Sequence, residues 1–169
     1  MNPITTLRRE IRQTRGIPAI VGAAVGMITA LAVVISGAGG QTVYYIVTRP
    51  RGAPPTFLLV TLWTLVIALS CAAFAITFCE PLSCRCIGGR MRAAAFFSLS
   101  KIAALAHITL FFGGRFVFSL LLVFASVTLL LLAIRELRRT LLLSTAALGV
   151  FALWLLYAAW LNVCILILN

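Results

Sequence analysis

The chain has 169 residues, 63% hydrophobic and 10% charged, with a mean hydropathy of +1.15. A soluble domain carries about a quarter of its residues as charges, so this composition excludes a water-soluble domain and leaves one membrane-embedded bundle. The net charge of +11 comes from thirteen arginines and one lysine against three glutamates. These charges gather at the ends of apolar runs, so they read as headgroup and topology signals, and no nucleic-acid partner is expected.

Residues 1–16, MNPITTLRREIRQTRG, form a basic segment that reads as a juxtamembrane anchor rather than a secretory signal. A first apolar run, 17–36, is long enough to span a bilayer as a helix, with Pro18 tolerated in its first turn. Gly22 and Gly26 in this run form GxxxG, which permits close helix contact. The next segment, 37–56, contains GAGGQTVYYIVTRPRGAPP. Pro50, Pro54 and Pro55 push their preceding residues out of the helical region, and Tyr44 and Tyr45 suit a membrane interface. A connection of about 20 residues is long for a bundle, and we read it as a lid over one mouth.

Further runs at 57–79, 93–112, 116–134 and 141–168 bring the expected spans to five, in one all-α integral membrane domain covering 17–169. Gly113, Gly114 and Arg115 are the only break between the third and fourth, so those two form a tight hairpin. With five spans, Arg8, Arg9, Arg12, Arg15, Arg85, Arg90, Arg92, Arg135, Arg138 and Arg139 fall on one side. Arg49, Arg51 and Arg115 fall on the other, which predicts an N-terminus on the positive-inside face and a C-terminus opposite.

Chemistry-bearing residues are sparse. Cys71 and Cys164 read as small core residues. Cys79, Cys84 and Cys86 lack the spacing and the histidine of a metal site, and no metal is expected. Lys101 and His107 lie in the third span, where ionisable groups usually face the bundle interior. Lys101 is within reach of the interface if the span begins near Ala93, so snorkelling is enough to account for it. With three acids, all at span ends, and one histidine, no catalytic residue is assigned and no enzyme is expected.

The last span contains FALWLLYAAWLN. Helical spacing puts Trp154, Ala158, Leu161, Asn162 and Ile165 on one face and turns Trp160 elsewhere. Trp63 and Thr64 offer a second aromatic and hydroxyl pair in the second span. Such residues either wall a cavity for a flat apolar molecule or fill core volume, with Asn162 joining helices.

Four segments resemble the translocator protein / tryptophan-rich sensory protein (TspO/MBR) family. RPRGAPPTFLLVTLWT matches its basic-Pro, PP, aromatic, WT signature through Arg49, Pro50, Pro54, Pro55, Phe57, Trp63 and Thr64. VYYIVTRP matches the preceding element through Tyr44 and Val47, and FFGG at Phe111 to Gly114 matches the end of the family's third span. The closing segment matches through Trp154, Ala158, Leu161, Asn162, Leu168 and Asn169. The sequence departs from the family at Ala104 and His107, which stand in the places of an Asn and a Trp. Val163 and Ile167 stand where animal members carry a cholesterol-recognition Tyr and basic residue.

The resemblance implies a five-helix bundle whose pocket binds porphyrins or other tetrapyrroles, sterols or synthetic aromatics, with no cofactor required. It also implies a homodimer as a partner state beside the bilayer and the hydrophobic small molecule. The pocket residues carried over are Trp63, His107, Trp154, Ala158, Leu161 and Asn162, with Leu59 and Val60 one turn before Trp63. The alternative is a membrane scaffold that keeps the fold without binding a ligand.

Overall fold

A computed structural model of the protein describes residues 16–36, 41–79, 87–137 and 142–169. The basic segment before Gly16, the loop positions Cys84, Cys86 and Arg85, and Arg138 and Arg139 lie outside the described residues. Every described element is helical. The order is α1 (Gly16–Ser36), α2 (Gln41–Ile46), α3 (Thr56–Cys79), α4 (Ile87–Phe112), α5 (Phe116–Leu137) and α6 (Leu142–Leu168).

Four helices are long and apolar enough to cross a membrane, within Thr56–Thr77, Gly88–Phe112, Phe116–Leu137 and Thr145–Leu168, and a shorter apolar helix occupies Ile20–Ala32. At 1.5 Å per residue, 22 residues rise about 33 Å, enough for a hydrocarbon core of about 30 Å. The outer faces carry exposed Ile28, Leu69, Ile102, Leu121 and Leu153, among others. In water such a surface would drive association; in a bilayer it is the lipid contact. The chain is therefore a multi-pass membrane protein.

The long helices form a closed ring in the order α1, α3, α6, α5, α4, with α4 returning to α1, and α2 lies against α3 and α4. The tightest approach in α1 is at Gly22 and Gly26. A Cβ on Gly22 would stand 2.6 Å from the Cys71 carbonyl oxygen and 2.7 Å from the Ala75 Cβ, and one on Gly26 would meet Ala68 and Cys71 at 3.0 Å. The GxxxG face is thus spent on α3, inside the chain.

Between α4 and α5 the hairpin closes as the FFGG stretch suggests. Gly114 has φ +75°, the Arg115 N–H donates to the Leu110 carbonyl at 2.9 Å, and the Gly114 N–H donates to Phe111 at 3.2 Å. This is a Schellman cap, which needs a residue that tolerates positive φ. Further along the pair, buried Ser100 and Ser126 exchange hydroxyl-to-carbonyl bonds, each 2.9 Å.

Three expected boundaries move. The third span starts at Ile87 rather than 93, because Arg90 and Arg92 continue the helix instead of ending it. The fourth runs to Leu137 rather than 134, taking Arg135 and Glu136 into its last turn, where a basic side chain is favourable. In the segment 37–56, of which 41–56 are described, Gln41–Ile46 is a short helix and residues 47–55 are non-helical.

Candidate functional site

Three helices contribute rings to one point near the bundle centre. Trp63 of α3 is 3% exposed and His107 of α4 is 2% exposed. Their ring centroids are 5.6 Å apart. Trp154 of α6, half-buried, meets Trp63 edge-on at 5.7 Å. Phe111, one turn beyond His107, lies 5.9 Å from it. The three residues singled out in the sequence therefore converge, although they are up to 91 positions apart in the chain.

A polar network backs this aromatic layer. Asn162 Nδ2 donates to Ser119 Oγ at 2.9 Å. His107 Nδ1 lies 2.7 Å from Ser119 Oγ and 3.0 Å from the Ser119 carbonyl oxygen, and the Ser119 hydroxyl is 3.3 Å from the His107 carbonyl. A carbonyl only accepts, so a ring proton on Nδ1 satisfies every contact and leaves Nε2 an acceptor. These contacts lock His107 to α5. Two buried polar atoms beside this layer have no hydrogen-bond partner among the described residues: the indole nitrogen of Trp154, a donor, and Oδ1 of Asn162, an acceptor.

Along α6 the expected face is inside. Ala158, Leu161, Asn162 and Ile165 are all buried, while Trp160 is 45% exposed and points away. Leu59 is buried in the core and Val60 packs half-buried against it. Thr64, paired with Trp63 in the sequence argument, donates instead to the Val60 carbonyl at 3.0 Å, so its hydroxyl serves its own helix.

Specific contacts hold the segment between α1 and α3. Tyr44 of α2 is buried against Phe111 and Phe112 at 5.8 and 6.3 Å between ring centroids. Its hydroxyl donates to the Pro54 carbonyl at 2.9 Å, and the Arg49 guanidinium lies 5.3 Å from its ring centre. Burial pushes the Tyr44 phenol above its ordinary pKa, against a smaller opposing pull from Arg49. Pro50 opens a turn closed by the Ala53 N–H at 3.1 Å, with Gly52 at φ +91° where positive φ is required. Pro55 supplies the first carbonyl of α3, accepting from Leu59 at 3.0 Å. The C-terminal Asn169 holds the same segment, accepting from the Thr48 N–H at 2.9 Å and donating to the Thr48 carbonyl at 3.1 Å.

Lys101 corrects its expectation. It does not snorkel: it is 8% exposed. Because α4 begins at Ile87, Lys101 stands about 21 Å along the helix, beyond the reach of its own side chain to that end. Its Nζ donates to Ser70 on α3 and lies over the Phe151 ring at 3.3 Å and near Phe97 at 5.0 Å. Ser70 and Ser119 were not singled out in the sequence. Each is a single hydroxyl in an apolar stretch, a signal that a systematic search for polar residues in spans would have caught.

Comparison with known proteins gives one match. The model of the TspO/MBR family matches residues 16–168. No curated protein and no solved structure matches the chain.

Proposed function

Because this chain belongs to the TspO/MBR family and is a multi-pass membrane protein, we propose that it is a receptor or transport-type protein for a flat hydrophobic ligand. A tetrapyrrole or a sterol is the fitting class. The observation that carries this reading is a buried donor and a buried acceptor, Trp154 Nε1 and Asn162 Oδ1, each without a partner among the described residues, in a bundle where Trp154 meets Trp63 edge-on. Each unpaired group costs about 1–3 kcal/mol, and a ligand with one acceptor and one donor removes both costs.

In this reading α1 is the fifth membrane crossing. The ligand enters beneath the segment pinned by Tyr44 and Asn169, then parts Trp63 from Trp154 and lays its face on the indoles. Leu59, Val60, Ala158 and Leu161 supply apolar wall, and Arg49 and Arg51 attract acidic substituents at the mouth. Binding without turnover is proposed, since the sequence carries three acids, all at span ends, and one histidine. Titration with protoporphyrin, followed by tryptophan fluorescence, tests the site: quenching should be saturable and should lose most of its amplitude in Trp63→Leu, Trp154→Leu. Saturable binding of unchanged affinity in that double variant refutes the assignment.

One observation favours a scaffold without a ligand. Trp63 contacts both His107 and Trp154, so the rings already fill one another's space. Under that reading, no porphyrin or sterol raises the melting temperature, while a membrane partner, or a second copy of the chain, co-purifies.

A further inference from the structure

Lys101 is absorbed by neither the family resemblance nor the ring cluster, yet it occupies the centre of the bundle. It reaches from α4 across to α3 and α6, and its surroundings are entirely electron-rich. The Ser70 hydroxyl donates to the Ile67 carbonyl at 2.8 Å, so toward Lys101 it offers only lone pairs. The Phe151 and Phe97 rings present their faces to Nζ, and Phe97 is itself stacked on Phe74 at 4.0 Å. Such a cage orients and holds a cation, but it supplies no negative charge. Among the described residues the only carboxylate side chain is Glu136, which pairs with Arg92 at 2.9 Å at the far end of α4. A buried charge without a counter-ion is costly in a membrane and marks a functional position.

The position is aligned with the rings. Lys101, Ala104 and His107 follow one another at spacings of three on α4, and Ala104 between them is buried and small. Phe151 precedes Trp154 by one turn on α6, and Ser70 follows Trp63 by two turns on α3. By helix rise Lys101 lies about 9 Å from His107 on α4, Ser70 about 10 Å from Trp63 on α3 and Phe151 about 5 Å from Trp154 on α6, lengths that one flat polycyclic molecule spans.

We infer that Lys101 is the acid-recognition point of the pocket: the ligand is a flat hydrophobic carboxylic acid whose carboxylate pairs with Lys101 Nζ while its apolar body lies on Trp63 and Trp154. This rests on the ligand-binding reading above. It places the counter-charge deep inside the bundle, not at the arginines of the lid, and it selects acids over neutral analogues of the same shape.

The test compares protoporphyrin IX with its dimethyl ester on the full chain in lipid nanodiscs, by tryptophan quenching. The wild-type protein should bind the acid at least ~10-fold more tightly than the diester, the factor expected of a charge-assisted hydrogen bond. Lys101→Met replaces the charge with an apolar chain of similar length, a change buried sites tolerate. It should bring the acid down to the diester's affinity and leave the diester unchanged. Arg49→Gln, Arg51→Gln should keep the preference. Equal binding of acid and diester by the wild type, which needs no variant, overturns the inference and leaves the pocket standing. So does a preference that survives Lys101→Met or vanishes with the two arginines. If neither compound binds, the pocket itself is refuted and this inference falls with it.

Discussion

Removing one oxygen atom tests the polar network most directly. Ser119 Oγ accepts from Asn162 at 2.9 Å and lies 2.7 Å from His107 Nδ1, joining α6, α5 and α4 at one atom. In Ser119→Ala the Asn162 amide loses its donor bond, and its Oδ1 already has no partner. His107 keeps the Ser119 carbonyl at 3.0 Å, so the loss falls mainly on Asn162. An interhelical hydrogen bond in a membrane is worth about 0.6 kcal/mol on average and up to about 1.7, and a stranded buried polar group adds about 1–3 kcal/mol. We expect Ser119→Ala to cost about 2 kcal/mol. Asn162→Leu removes the whole amide, including the oxygen that was already unpaired, and leaves Ser119 bonded to His107. Its cost should stay within about 1 kcal/mol, because no partner is stranded. The double variant should then resemble Asn162→Leu, giving a coupling of about 2 kcal/mol in size, the whole Ser119→Ala cost. Reversible unfolding in mixed detergent micelles, followed by circular dichroism, measures all four proteins. Additive costs, or an Asn162→Leu cost equal to that of Ser119→Ala, refute the reasoning.

Four further outcomes follow from other positions. Gly22→Leu should destabilise by about 2 kcal/mol or more, since its side chain would strike the α3 backbone. Gly149→Ala, with nothing within 4 Å of the added Cβ, should stabilise by about 0.5–1 kcal/mol through helix propensity alone; equal effects in the same unfolding assay would dismiss the α1–α3 seam. Tyr44→Phe deletes the bond to Pro54 and should cost about 1 kcal/mol of local stability in this segment, read as faster amide exchange across residues 48–55 with α4 and α5 unaffected. Glu136→Gln breaks an ion pair whose arginine is 63% exposed, so its unfolding midpoint should correspond to a change below about 0.5 kcal/mol.

The amino-acid sequence by itself determined the solvent, the helices and much of the wall. Apolar runs of about 20 residues admit few structures in lipid other than helices, because backbone groups must bond internally. Prolines and paired glycines set where helices start and turn, as at Pro55 and Gly114. Spacing of three and four separated inward Ala158 and Asn162 from outward Trp160 without any tertiary information. The partners of each polar atom were decided only by the tertiary structure, because those partners come from other helices. Nothing near Asn162 in the chain points to Ser119, 43 positions away, and nothing near Lys101 points to Ser70 or Phe151. Spacing along one helix fixes a direction; only the ring order of five helices says what stands in that direction. Hence the lysine expected to reach for the interface is held instead at the bundle centre.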